Sequence, residues 1–457
     1  MTLSNSVSKA LPMSNSNAAG NSAWLVAARA IARWLERRER LDELIEAEAK
    51  GLQGAERARC QHLVFGVVRH FGRLEASLRR LIAHSPRFST RAVLFVAGFE
   101  LIEAFGDGDP AADGRIAKIV HHAVEQTKVL ASPAEARLVN AVVRKLATIL
   151  AAPAPQKLAP AEVLAEYFSH PVWLVRSWLA QFGAPATRAL LEWNQRPAPV
   201  YARARPRPSG EDAAPLPPWL KPTSWPDFHE VESGHWPQVE ELLRAGRIYL
   251  QDPATRLAAE LVGAQEGECI LDACAAPGGK SLLIADRMRT GQLVAMDLPT
   301  ARIARLKENL SRVPPGLEVA LVQGELQRGA ADLLREHRLP TEFDAVLLDV
   351  PCSNTGVMRH RVDVKWRLQE GDFKKHPRQQ LALLGAAARL VKAPHHGRPG
   401  GRLVYSTCSI DQEENEHLIR EFLGNQRGRF ELEQQMIAWP WVAGHDGAGV
   451  FRLRRIA

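Results

Sequence analysis

ILDACAAPGGKS, residues Ile270–Ser281, sets the fold class of the C-terminal half of the chain. An apolar run ends on Asp272, small residues follow, and Gly278-Gly279 lead into a segment of helical character. Strand, tight turn and helix in that order make a β–α unit. Small side chains let a ligand approach the backbone there, and the start of the helix offers free N–H groups. The phosphate-binding loop Gly-x-x-x-x-Gly-Lys-Ser is a rival reading. Cys274 stands at its first glycine, however, so the residue that wraps phosphate is missing. A β–α turn that binds nothing is the plainer alternative.

The unit repeats on either side. Strands are expected at Glu268–Asp272, Gln292–Asp297, Leu317–Gln323, Phe343–Asp349 and Arg402–Thr407, with helices notably at Lys280–Met288, Thr300–Arg312 and Gln379–Val391. This alternation over residues 241–457 predicts an α/β, Rossmann-like domain with a mostly parallel sheet and helices on both faces. Ligands of such sheets bind at the carboxyl ends of the strands. Asp272, Asp297, Asp349 and Cys408 fall at or just past such ends. Asp297 lies 19 positions after Gly278, the distance at which an acidic residue commonly accepts hydrogen bonds from a ribose diol. Taken singly, it reads equally well as a helix cap.

Two further stretches carry chemistry: FDAVLLDVPCSNTGVMRHRVDVKW (Phe343–Trp366) and LVYSTCSIDQEEN (Leu403–Asn415). Each sets a cysteine just past an apolar strand, Cys352 and Cys408, so that two thiols face one cleft. A catalytic thiol needs nearby positive charge or free backbone donors to ionise at neutral pH. Buried, inert cysteine is the competing role.

Towards the N-terminus the signals change. Residues 1–22 are rich in Ser and Asn and read as a disordered leader. From residue 23 to 150, apolar residues recur at spacings of three and four, as in Leu63, Val67, Val68, Phe71, Leu74 and Leu78, which predicts an all-helical bundle of six or seven helices. Residues 151–240 read as a helical connector, about Pro160–Gln195, followed by a Pro-dense piece that is irregular or contains β-structure.

Composition narrows the classes. The chain has 457 residues and only five cysteines, without CxxC spacing, which argues against a disulfide framework or a zinc ribbon and for a reducing cytoplasm. The pairs His121-His122 and His395-His396 lack partner ligands, so no metal is expected. No apolar stretch suits a membrane span or a signal peptide. The formal net charge is +8, and residues 1–150 hold 21 Lys/Arg against 15 Asp/Glu. Arg29, Arg33, Arg37 and Arg40 form one cluster there, and Arg69, Arg73, Arg79 and Arg80 another. They fit phosphate contacts to a nucleic acid or, equally, solvated faces paired with Glu36, Glu39 and Glu75.

The motifs DACAAPGGK, LLDVPCSNTGV and YSTCSIDQEEN resemble those of S-adenosylmethionine-dependent RNA cytosine-5 methyltransferases. The segments Leu63–Leu78 and Glu135–Leu146 resemble the NusB-like RNA-binding domain of the Sun/Fmu branch, which methylates small-subunit (16S) rRNA. The resemblance covers roughly Ala23 to Ala457 and is poorest over Pro197–Trp236. It implies that Cys274, Ala275, Ala276, Pro277, Gly278, Gly279 and Lys280 wrap S-adenosylmethionine and that Asp297 holds its ribose. Glu325, where the family usually has Asp, would lie near the adenine, and Asp349 where methionine and target base meet. Cys408 would be the nucleophile and Cys352 the residue that assists product release, with Lys280 and Asp349 positioning and polarising the cytosine. A protonated Asp349 would bond N3 of the ring. The partner implied is small-subunit rRNA, single-stranded or looped at the target cytosine, met by a monomer. A non-catalytic RNA-binding factor and a tRNA or DNA cytosine-5 methyltransferase are the alternatives.

Overall fold

The computed structural model describes residues 22–106, 112–156, 158–206 and 215–457. Most of the expected leader, residues 1–21, lies outside the described residues, as do residues 207–214 of the Pro-dense piece. The chain divides into two compact units, Met1–Pro153 and Ala154–Ala457.

Among the described residues the first unit holds seven helices: α1 (Ala23–Arg37), α2 (Leu41–Glu48), α3 (Gly54–Arg69), α4 (Phe71–Leu81), α5 (Phe88–Gly106), α6 (Ala112–Leu130) and α7 (Pro133–Leu150). Ser22 starts α1 by accepting from the Leu25 N–H, and Ser132 starts α7 by accepting from Glu135. Helix α5 is apolar over most of its girth, with Val93, Phe95, Val96 and Leu101 fully buried. Close packing sets two positions: a Cβ on Gly66 would lie 2.0 Å from the Phe99 ring, and one on Gly98 would lie 2.7 Å from Leu74.

The basic clusters of this unit are largely engaged by carboxylates. Arg33 bridges Glu39 at 2.8 Å and Glu48 at 3.0 Å, Arg40 meets Asp42 at 2.6 Å, and Arg79 meets Glu75 at 3.1 Å. Arg73 donates to the Leu150 carbonyl, and Arg69 is buried.

The second unit opens with α8 (Ala161–Tyr167) and α9 (Val172–Gln195), the latter broken at Gly183, where φ is 74°. The Pro-dense piece forms a small antiparallel sheet, β1 (Tyr201–Ala204), β2 (Leu220–Pro222), β3 (Phe228–Val231) and, after α10 (Trp236–Arg244), β4 (Ile248–Leu250), ordered β2-β3-β1-β4. Then follow α11 (Arg256–Val262), β5 (Cys269–Asp272), α12 (Gly279–Ala285), β6 (Gln292–Asp297), α13 (Ile303–Leu310), β7 (Glu318–Gln323), α14 (Ala330–Glu336) and β8 (Ala345–Asp349). The chain ends through α15 (Val364–Arg367), α16 (Asp372–Ala388), β9 (Arg402–Thr407), α17 (Glu416–Asn425), β10 (Phe430–Ala438), α18 (Pro440–Ala443) and β11 (Ala448–Arg455).

The large sheet runs β10-β11-β9-β8-β5-β6-β7, with five parallel strands from β9 to β7. Alternate residues feed two cores. Leu271, Val346 and Leu348 pack on one face with Leu384 and Phe422, while Ile270, Ala345 and Leu347 pack on the other with Leu261 and Ile284. Each such buried aliphatic side chain contributes roughly 1.5–3 kcal/mol, which fixes the strand register behind the polar ends. The five expected strands are all present. Antiparallel β11, inserted between β9 and β10, is an addition to the sequence expectation. No helix among the described residues is long and apolar enough to cross a membrane.

Candidate active site

Strands β6, β5, β8 and β9 are neighbours, so Asp297, Asp272, Asp349 and Cys408 emerge side by side. The loop after β5 is tied to the end of β6: Ala275 N–H donates to the Met296 carbonyl at 3.0 Å, and Ala276 N–H to Asp297 Oδ2 at 2.8 Å. Asp297 Oδ1 accepts from Leu298 N–H at 2.7 Å. Helix α13 starts later, with Arg302 as its cap, so Asp297 serves the loop and not the helix. The turn passes through a cis Ala276-Pro277 bond, and Asn309 donates to the Pro277 carbonyl at 2.7 Å. Gly278 has φ 103°, and a Cβ there would sit 2.9 Å from Leu306, so this position is suited to glycine on both counts.

Asp272 is buried behind this loop. Its Oδ2 accepts from Ser281 Oγ at 2.6 Å, while its Oδ1 is sealed from solvent without a hydrogen-bond partner. Burial pushes its carboxyl group up to about 7. A spare buried acceptor beside a loop of small residues fits a ligand that brings hydrogen-bond donors, as the hydroxyl and ammonium groups of an adenosyl amino acid do. Burial pushes the Cys274 thiol well above its ordinary range. Glu325, past the end of β7, is partly exposed and meets Arg328 at 3.2 Å.

Cys352 and Cys408 come together, their sulfurs 2.9 Å apart. The adjacent Cys408 sulfur, and burial with it, hold the Cys352 thiol well above its ordinary range. Lys280 Nζ reaches Asp349 Oδ2 at 2.6 Å. Burial opposes the charge on Lys280, but Asp349, with Cys408 adding to its effect, leaves the ammonium pKa above its usual value. The Lys280 ammonium, held by Asp349, lies within electrostatic reach of the Cys408 sulfur.

Several residues that sequence reading left without a role hold these groups in place. Asn354 adopts a left-handed conformation, φ 61°. Its Nδ2 donates to the Cys352 carbonyl at 2.7 Å, which turns Oδ1 towards Cys408, whose Sγ donates to it at 3.2 Å. Glu414 is fully buried and accepts from Ser353 N–H at 3.0 Å, Ser409 Oγ at 2.9 Å and Gln380 Nε2 at 2.7 Å. Asp411 accepts from Thr355 Oγ1 and lies 3.0 Å from the same Ser409 Oγ, and burial raises its carboxyl to about 7. Glu414 and Asp411 stand inside the quoted motif Leu403–Asn415; their signal was an acidic pair just past a strand end. Trp439 and Trp441 pack against Phe182, with ring centroids 5.2 and 5.5 Å away, as core caps do.

The chain matches the family model described as 16S rRNA methyltransferase RsmB/F over residues 259–442, and that of the NusB family over residues 21–148. It is 32% identical over 412 residues to ribosomal RNA small subunit methyltransferase B of Sodalis glossinidius, covering 88% of this chain and 89% of that one. The protein of that name from Erwinia tasmaniensis is 29% identical, with 87% and 89% covered. Among solved structures, PH0851 aligns with TM-score 0.71 at 22% identity, covering 95% of this chain and 99% of its own. A methyltransferase homolog from Pyrococcus horikoshii aligns with TM-score 0.52 at 22% identity, covering 65% and 100%. Both likenesses concern the fold.

Proposed function

Because the chain belongs to the RsmB/F family of 16S rRNA methyltransferases, we propose that it transfers methyl from S-adenosylmethionine to C5 of cytosine by way of a covalent bond between Cys408 and C6. The protein is an S-adenosylmethionine-dependent methyltransferase of small-subunit rRNA cytosine. Residues Cys274–Lys280, Asp272 and Asp297 would hold the cofactor, with Glu325 serving its adenine. S-adenosylmethionine supplies an electrophilic methyl carbon on a sulfonium.

The chain's own residues supply the rest. C5 of cytosine is a poor nucleophile until the Cys408 thiolate adds to C6, which breaks the ring's conjugation and makes C5 enamine-like. Lys280, cationic and close to Cys408, favours the thiolate. Charge that builds on the ring would be met by Asp349, which as the acid donates a hydrogen bond to N3, with the Lys280 ammonium 2.6 Å from its Oδ2. After methylation a base accepts the C5 proton, the C5–H electron pair re-forms the C5–C6 double bond, and the Cys408–C6 bond breaks with its pair leaving on the Cys408 thiolate. Cys352, beside Cys408, assists this release.

The observation that carries the reading is the pair of sulfurs 2.9 Å apart next to the Lys280–Asp349 pair. Incubating the Cys352→Ala variant with S-adenosylmethionine and a 16S rRNA transcript should accumulate a covalent protein–RNA adduct on a denaturing gel. Cys408→Ser should form no adduct and transfer no radiolabelled methyl to cytosine. Full activity of Cys408→Ser would defeat the reading. Loss of all chemistry without an adduct in Cys352→Ala would instead make Cys352 the nucleophile.

A further inference from the structure

His360 lies in neither the thiol pair nor the cofactor loop, yet it joins segments far apart in the sequence. Its Nε2 is 3.3 Å from the Pro199 carbonyl, which only accepts, so Nε2 carries a hydrogen. Its Nδ1 donates to Asp446 Oδ1 at 2.8 Å. Asp252 completes the group: its Oδ1 accepts from Asp446 N–H at 3.2 Å and Ala254 N–H at 2.8 Å, and its Oδ2 is sealed without a hydrogen-bond partner. Donor and acceptor atoms of the three side chains all lie within 4.8 Å of one another. Two carboxylates thus enclose one ring with both nitrogens protonated. Arg359 and Tyr201 lie in the same electrostatic surroundings.

The grouping sits one step from the thiols. His360 N–H bonds the Val357 carbonyl, and Val357 N–H bonds the Asn354 carbonyl, so the residue closes the turn that carries Asn354. Gly447, next after Asp446, donates to the Gly356 carbonyl at 2.8 Å, and Gly356 donates to the Cys408 carbonyl at 3.0 Å. A Cβ on Gly356 would stand 2.8 Å from that same oxygen and 2.9 Å from Gly447 Cα. Backbones packed so closely leave no slack, and movement of His360 relative to Asp446 passes directly into the distance between the Cys352 and Cys408 loops.

We infer that His360, clasped by Asp446 and Asp252, is a positioning residue that fixes the Cys352 loop against the Cys408 loop for attack on the base. The inference rests on the reading of Cys408 as nucleophile and deepens it. The clasp acts on geometry alone; His360 does not touch the reacting atoms.

Three full-length variants test it: His360→Ala, His360→Asn and Asp446→Asn, assayed with S-adenosylmethionine and a 16S rRNA transcript. His360→Ala should lower kcat about 10- to 100-fold, the cost of a slightly misplaced nucleophile. KM for S-adenosylmethionine should stay within about twofold, because the cofactor loop is not part of the clasp. Asp446→Asn should follow His360→Ala. His360→Asn should recover most of the rate, since its Nδ2 can occupy the place of Nδ1 and donate to Asp446. Alkylation of Cys408 by iodoacetamide, followed by mass spectrometry, should be faster in His360→Ala than in the parent protein. That readout needs no RNA, so it judges the clasp even if the parent protein transfers no methyl group, an outcome that would defeat the functional reading alone. The inference is overturned if His360→Ala keeps the parent kcat and alkylation rate, or if His360→Asn is as slow as His360→Ala. One equivalent of Zn2+ that survives dialysis, and whose removal by EDTA abolishes activity, would also overturn it and make the grouping a metal site.

Discussion

Two neighbouring regions at the same end of the large sheet are bonded in opposite ways. Around the Cys274–Lys280 loop, polar capacity is left over: Asp272 Oδ1 has no partner, and the two Asp297 oxygens accept one backbone N–H each, with the Arg302 guanidinium 3.9 Å from Oδ1. On Glu414 itself capacity is consumed: backbone, hydroxyl and amide donors from Ser353, Ser409 and Gln380 converge on one buried carboxylate, although the neighbouring Asp411 keeps its buried Oδ1 without a partner. The first region is built to be completed by a ligand, and the second to hold two loops still. A buried acceptor without a partner is costly, and it persists where something else supplies the donor. A saturated network costs little once formed and confers rigidity. The contrast lies between two single carboxylates, Asp272 with one oxygen open to a ligand and Glu414 with both engaged.

Breaking the saturated side should have the largest effect. Glu414→Ala strands Ser353 N–H and Gln380 Nε2 in a dry interior and opens a cavity, which should cost about 2–5 kcal/mol in urea unfolding. Methyl transfer should fall with it, because the peptide before Ser353 carries Cys352. Glu414→Gln keeps one acceptor oxygen and offers its amide to Ser409 Oγ, so it should be markedly milder. Equal losses for Ala and Gln would mean that the site is sensitive to charge and not to hydrogen-bond count.

The unsaturated side should respond in binding more than in stability. Asp272→Asn should raise KM for S-adenosylmethionine about tenfold, the loss of one charge-assisted hydrogen bond, while the unfolding midpoint holds or rises. Its pH dependence has a definite sign. The folded carboxyl titrates at about 7, above its unfolded value, so the folded state binds the extra proton between the two. Its contribution to stability is therefore fully present below the unfolded pKa and is lost as pH rises through about 7. A ligand that donates to the carboxylate must release that proton, so cofactor affinity should increase from pH 6 to pH 8 in the parent protein. In Asp272→Asn the same titration should be flat.

How far the sequence revealed this contrast depended on range. Strands such as Gln292–Asp297 and Arg402–Thr407 are continuous apolar runs, because a central parallel strand is covered on both faces, and they appear at the expected bounds. Strand β10 was not expected: Glu431, Leu432, Glu433, Gln434 and Gln435 are all exposed, as an outer strand permits, and they leave no apolar run to read. Helix α16 begins at Asp372, earlier than the expected Gln379, because Pro377 sits within its first turns and looks like a break. In the site, the thiols, Lys280 and Asp349 were legible from local motifs. The partners of Asp272, the saturation of Glu414 and the clasp of His360 arise from contacts between distant segments, which spacing along the chain does not encode.

The smallest effect is expected in the helical unit, and it extends the same contrast to surface charge. Arg33 stands in the basic cluster that suggested phosphate contacts, but Glu39 and Glu48 already occupy its guanidinium. A cation so paired must give up two carboxylates before it gains a phosphate, and it displaces few counterions from RNA. Arg33→Ala should therefore leave the slope of log affinity against log salt for the rRNA transcript unchanged. Arg29, on the same helix and exposed, should flatten that slope by close to one contact on substitution by Ala if this face meets RNA. Filter binding at several salt concentrations distinguishes them. A steeper change for Arg33 than for Arg29 would mean that the ion pairs open on binding, and that saturation by carboxylates does not mark a surface as inert.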